Sequence, residues 1–320
     1  MSDQALIKVE QLTRHFGPHR AVDNLSFEVK RGEVLGFLGP NGAGKSTTMK
    51  MITGNLAPHH GRITINGLDI LDQPKAAKAE IGYLPELPPL YRELTVDEYL
   101  RFCARLNRIT RSKQTHAVKS VKARCGLGEV GGRLISNLSK GYQQRVGIAQ
   151  AIIHSPAVVV LDEPTVGLDP IQIREIRNLI RELGGEHSVI LSTHILPEVQ
   201  ATCDQVQIIH QGKLVLNDSI EGLTQHMQTS SLIVRFGNPV NQDSILSING
   251  VNSVDELENG CLRIHHDPES SPAATIAETA VNNGWELLEL TPDKRSLEQI
   301  FVDITTSETD SNQTTNIAAA

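Results

Sequence analysis

The chain has 320 residues, 39% hydrophobic and 21% charged, an ordinary globular composition with length enough for two domains. No apolar run reaches the roughly 18 to 20 residues that cross a bilayer, and Met1 to Gln4 has neither the charged nor the apolar part of a signal peptide, so a cytoplasmic protein is expected. Lys and Arg number 30 against 37 Asp and Glu, but 4 against 14 from Ser231 onward; this acidic last third is expected to repel nucleic acid.

Ile7 to Leu12 and Leu25 to Val29 alternate apolar and polar residues around a Gly17-Pro18 turn, the pattern of an antiparallel sheet. Phe16, just before the turn, is either plain core or, in a nucleotide-binding chain, a face for adenine. Glu33 to Leu38 is an apolar strand, followed by Gly39, Pro40, Asn41, Gly42, Ala43, Gly44, Lys45, Ser46 and Thr47, with Thr47 to Thr53 continuing as helix. This strand, glycine loop and helix form a complete polyphosphate cradle. Its glycines let successive N–H groups face the anion, Lys45 reaches the β- and γ-phosphates, and the Ser46 hydroxyl serves Mg²⁺.

Gly61 to Ile70 is a hairpin around Asn66-Gly67, and Ile81 to Leu84 a short buried strand ending at Pro85-Glu86. From Thr95 to Arg124 apolar residues recur at helical spacing, which predicts a helical subdomain over about 88–155. Ser139 caps a helix through Val146 to Ile153. Ala157 to Leu161 is a continuous apolar strand of a parallel sheet, with Asp162 and Glu163 at the end where open α/β sheets place ligands. A helix over Ile171 to Leu183 and a strand over Ser188 to Leu191 lead to His194; Glu186 to Gly212 closes the domain with two short strands and their connections, and Asn217 to Gln228 is an exit helix and linker. Beyond it, strand (Ser231 to Phe236), helix (Asp243 to Ser247), hairpin (Val251 to Leu257, Cys261 to His265, around Asn259-Gly260), helix (Ala273 to Asn282) and strand (Trp285 to Leu290) spell β-α-β-β-α-β, the ferredoxin-like order. Ser296 to Ile304 predicts a last short helix and 305–320 a disordered tail. The four cysteines are scattered, as suits reduced thiols.

Together these motifs resemble the ATP-binding subunit of an ABC transporter, over about residues 5 to 225. Gly39 to Thr47 matches Walker A, Leu138 to Gln143 the signature, Val158 to Glu163 Walker B with its glutamate, Gly167 to Asp169 the D-loop, and His194 the switch histidine. The resemblance implies a P-loop α/β core with an antiparallel β subdomain and a helical subdomain, the small accessory domain over 230–304 being additional. It implies ATP held with Mg²⁺, the ion taken by Ser46, Asp162 and Glu86, while Glu163 activates water and His194 and Lys45 hold the γ-phosphate. Ser139 and Gly141 would act on the nucleotide of a second copy or second ATPase subunit, and Asp169 is a further nucleotide-binding residue.

Two positions depart from the family pattern: Leu138-Ser-Lys-Gly-Tyr142 stands for Leu-Ser-Gly-Gly-Gln, and Glu86 for the Q-loop glutamine. Leu90, Tyr91 and Leu94 either line a groove for a membrane subunit or pack inside the helical subdomain. Ser296 to Ile304 is similar to the closing segment of drug, lipid, polysaccharide and gliding-type exporter subunits. The implied protein is a peripheral ATPase on the inner face of the cell membrane, touching the membrane only through a separate permease. The alternatives are an ABC-type ATPase acting on nucleic acid or the ribosome, and a regulatory module that does not turn over.

Overall fold

The computed structural model describes residues 5–257, 260–267 and 270–294. The Ser296 to Ile304 helix, the tail and Asn259 of the hairpin turn lie outside the described residues. The chain divides between Ile220 and Glu221 into two compact units.

In the first unit, β1 (Ala5–Phe16) and β2 (His19–Lys30) form a long antiparallel pair. After β3 (Val34–Leu38) the phosphate loop enters α1 (Lys45–Ile52). Then come β4 (His60–Ile65), β5 (Leu68–Asp69), α2 (Pro74–Ala79) and β6 (Ile81–Leu84). The helical region holds α3 (Val96–Leu106), α4 (Arg111–Arg124) and α5 (Lys140–Ile152). It is followed by β7 (Val158–Asp162), α6 (Pro170–Gly184), β8 (Ser188–Thr193), α7 (Leu196–Thr202), β9 (Gln205–His210) and β10 (Lys213–Ser219).

One sheet has the order β2-β1-β4-β5; the other has β10-β9-β3-β8-β7-β6, parallel from β9 to β6 with β10 antiparallel at the edge. Alternate residues of the parallel strands (Leu35, Phe37, Val158, Val160, Ile190) join Ile7, Val9, Ile63 and the α1 methionines in one core. The opposite face receives helices closely: a Cβ on Gly36 would collide with Val199 of α7, and one on Gly82 with the backbone of α5. Val158 to Leu161 are buried on both faces, each worth about 1.5–3 kcal/mol, which outweighs placing the Asp162 carboxylate, 2% exposed, at the strand end.

Because β3, β8, β7 and β6 are parallel and in register (Leu38 beside Thr193, Ser192 beside Asp162, Leu161 beside Leu84), their C-terminal ends share one edge. The phosphate loop, His194, Glu163 and the Glu86 turn therefore leave the sheet side by side.

The structure corrects the sequence reading at four places. The Thr95 to Arg124 periodicity is two helices parted at Asn107 to Thr110, and only α3 has a continuous apolar face; α4 buries just Val118 and Val121. Helix α7 lies where only strands and connections were expected. Asn217 to Ser219 extend β10, so α8 (Ile220–Met227) starts later than the predicted exit helix. Trp285 is buried core ahead of the last strand.

The second unit runs β11 (Gln228–Phe236), α9 (Gln242–Leu246), β12 (Val251–Glu256), β13 (Cys261–His266), α10 (Ala273–Asn282) and β14 (Leu287–Lys294), with sheet order β12-β13-β11-β14. Leu232, Val234, Ile264, Ile276 and Trp285 centre its own core.

Candidate functional site

A cavity of about 420 Å³ opens at the shared edge, lined by Phe16, His19, Ala21, residues of the phosphate loop and start of α1, Glu86, Glu163, Val166 and His194. The loop's shape follows from its glycines. Gly44 has φ 108°, and a Cβ there would collide with the Ala21 carbonyl oxygen. The turn thus delivers the first N–H groups of α1 and the Lys45 side chain to one place.

Lys45 is 6% exposed. Its Nζ donates to the Gly39 and Pro40 carbonyls at 2.8 and 3.2 Å and stands 3.6 Å from Glu163 Oε1. Glu163 sits in the left-handed region at φ 49°, a backbone cost of about 1–3 kcal/mol that turns its carboxylate out of β7 into the cavity. His194 Nδ1 lies 3.0 Å from each Glu163 oxygen, so its ring N–H donates to the carboxylate.

Ser46 Oγ donates to Asp162 Oδ1 at 3.4 Å. Burial lifts the Asp162 carboxyl above its ordinary value, the Ser46 hydroxyl opposes that shift, and the charge of Glu86 adds to it. Hydroxyl and carboxylate oxygens are hard donors of the kind Mg²⁺ takes. Among the described residues no group of three or more His, Cys, Asp and Glu forms a metal cage.

Phe16 lines the cavity and is 47% exposed, with the Arg14 guanidinium 5.2 Å from its ring centroid. Ser139, Gly141 and Asp169 do not line this cavity. Ser139 caps α5 through the Tyr142 N–H, and Asp169 caps α6 through the Gln172 N–H. Lys140, at the signature departure, extends over Gly167, while the Gln172 amide lies where a Gly141 side chain would go, so the signature and the D-loop of one chain are packed together. Tyr91 packs edge-on against Tyr99 and Phe102 of α3 yet stays half exposed; Leu90 and Leu94 are partly buried.

The sequence reading passed over Glu198, on α7 and 1% exposed. One of its oxygens accepts from Thr165 Oγ1 at 2.7 Å and the other from Thr193 Oγ1 at 3.0 Å, with Arg177 Nη2 at 3.8 Å. Thr165 lies two residues after Glu163, and Thr193 immediately precedes His194. One buried carboxylate thus ties together the two loops that carry the Glu163–His194 contact. Pro197 in the first turn of α7 was the available signal, a proline placed as at a helix start. Glu198→Ala is expected to lower kcat about 10- to 100-fold with KM for ATP unchanged, Glu198→Gln recovering part of the loss because one oxygen still accepts. Steady-state kinetics check this, and a rise in KM alone would place Glu198 in nucleotide binding instead.

The ABC transporter family model matches residues 22–166. The bacitracin transport ATP-binding protein BcrA of Bacillus licheniformis is 33% identical over 304 residues, 93% of this chain and 97% of the relative. The linearmycin resistance ATP-binding protein LnrL of Bacillus subtilis is 31% identical over 309 residues, 94% and 98% of the two chains. A solved ATP-binding subunit of an ABC transporter superposes with TM-score 0.63 at 32% identity, over 69% of this chain and 92% of its own.

Proposed function

This chain belongs to the ABC transporter family of ATP-binding subunits, and from that premise we propose which residues carry its ATPase cycle and what that cycle drives. It binds and hydrolyses ATP to power transport by a separate permease. No helix among the described residues is long and apolar enough to cross a membrane; a cytoplasmic position on the inner membrane face is part of the proposal.

The observation that carries the assignment is the meeting of Lys45, Glu163 and His194 in one cavity at the end of three parallel strands. Backbone N–H groups of Gly39 to Thr47 cradle the phosphates, Lys45 holds the γ-phosphate, and Phe16 stacks on adenine. Ser46, Asp162 and Glu86 would hold Mg²⁺, which would offset charge on the triphosphate. Glu163 takes the proton of the attacking water; His194 holds Glu163 in place and faces the γ-phosphate. Ser139, exposed at the start of α5, Gly141, buried in its first turn, and Asp169 complete the site of a second copy, so closure of a homodimer accompanies ATP binding.

The cargo reading follows the relatives named for bacitracin transport and linearmycin resistance: export of an antibiotic. The test is growth of a sensitive host expressing the chain with its co-purified permease in bacitracin and in linearmycin. Resistance lost with Glu163→Gln supports the reading; no resistance to either, with permease and ATPase both active, removes antibiotic export of this kind.

Glu86→Gln tests the Q-loop departure. As a ligand, Glu86 contributes to ion affinity, so the Mg²⁺ concentration for half-maximal ATPase is expected to rise severalfold. As a neighbouring charge, it helps raise Asp162; without it the Asp162 value falls toward the ordinary one, the ionised form persists to lower pH, and the acid limb of activity moves down in pH. Mg²⁺ titrations at several pH values check both signs, and unchanged curves would leave Glu86 without a role in the site.

A further inference from the structure

From Tyr99 to Gly128 the chain carries eight Arg and Lys and no Asp or Glu, in a protein whose net charge is −7. This span forms most of α3, the turn after it and α4. Solvated faces usually interleave both signs, and α4 does not. Its first turn holds Arg111 and Lys113 with no acid, although the helix dipole favours acids there. Lys119 and Lys122 stand three apart on one face with no Glu or Asp on the helix to offset them. These placements cost folding stability, and α4 buries only Val118 and Val121 in return. Two of the eight cations have partners close by, Lys122 with Asp97 at 2.6 Å and Arg124 with Glu186 at 3.0 Å. Arg105, Arg108, Arg111, Lys113 and Lys119 are exposed and make no ion pair among the described residues.

Between the two helices lies a cleft of about 390 Å³ walled by Arg101 of α3 and by Lys119 and Lys122 of α4, with Thr115 as a hydroxyl donor and Asp97 as the one acid, already held by Lys122. Leu106, 64% exposed, ends α3 and follows Arg105 in the chain, with Arg108 two residues on. Three cations around an open cleft, flanking arginines and an apolar tip match the phosphate, the surface charge and the shallow apolar layer of an anionic bilayer.

We infer that this face of the helical subdomain binds anionic phospholipid headgroups directly, the cleft of Arg101, Lys119 and Lys122 taking a headgroup phosphate while Arg105, Arg108, Arg111 and Lys113 lie on the membrane surface. The occupant follows from charge complementarity and from the workplace of the protein: an ATPase that drives a permease is held at a bilayer whose cytoplasmic leaflet is negative. The permease is then not the chain's sole tie to the membrane, contrary to the expectation from sequence.

The test is flotation of the purified full chain with vesicles of phosphatidylcholine alone and of phosphatidylcholine mixed with phosphatidylglycerol. Binding to the mixed vesicles only, weakening as salt rises, is expected. The double variant Arg105→Glu, Lys119→Glu should bind them at least ~10²-fold more weakly, since four charge units change at the surface. Lys119→Arg should bind as the wild type does. ATPase activity in solution should be unchanged in each variant, which separates loss of the face from loss of the fold. Equal binding to neutral vesicles, or unchanged binding of the double variant, overturns the inference. Inorganic phosphate at millimolar concentration that strips the wild type from vesicles would make the cleft a site for free phosphate. A short single-stranded RNA that binds with the same sensitivity while vesicles do not would assign the face to nucleic acid.

Discussion

Glu163→Gln is expected to bind ATP with near wild-type affinity, to accumulate as a nucleotide-bound dimer and to turn over at least ~10²-fold more slowly. The substitution is nearly isosteric, so the amide oxygen still accepts from His194 and the left-handed turn at φ 49° is kept. What disappears is the carboxylate proposed to take the proton of the attacking water. Single-turnover ATPase measurements with size-exclusion chromatography in ATP check this. Undiminished turnover would remove Glu163 from the chemistry and transfer the base to another group, Glu86 being the other acid that lines the cavity.

Lys45→Ala is expected to weaken ATP binding by about 10²-fold or more. Lys45 is the cation at the floor of the cavity, it is nearly buried, and each hydrogen bond to a charged group is worth about 1.5–3 kcal/mol. Its removal also leaves Glu163 and the raised Asp162 facing the triphosphate without a compensating charge. Affinity for a fluorescent ATP analogue reads the loss directly. Normal affinity would mean that the loop backbone and Mg²⁺ suffice, leaving Lys45 as a lid on its own carbonyls. The two variants separate cleanly: Glu163→Gln should keep binding and lose chemistry, Lys45→Ala should lose both.

Much of the core was legible because buried parallel strands are short apolar runs. Ala157 to Leu161, Ile81 to Leu84 and Ser188 to Leu191 are such runs, and each is a strand in the structure with bounds shifted by at most two residues. The phosphate loop was legible because its glycines answer to backbone geometry, as Gly44 shows. The α3–α4 break was not, because Asn107 to Thr110 carries neither glycine nor proline and the apolar spacing passes over it. Helix α7 was missed because seven residues around Pro197 are too short for periodicity to register, and with it went Glu198, which precedes the Val199 that packs against Gly36 of β3.

Local chemistry determined the kind of site: a glycine loop, a lysine and a hydroxyl for phosphate and Mg²⁺, and paired acids after an apolar strand all act through backbone geometry and charge that neighbouring residues impose. Only the tertiary structure decided which groups meet. Glu163 and His194 are 31 residues apart in the chain and touch because β7 and β8 pair in parallel register, a long-range choice that no local pattern encodes. The same holds for Glu198 joining Thr165 to Thr193, and for the cations of α3 and α4 lining one cleft.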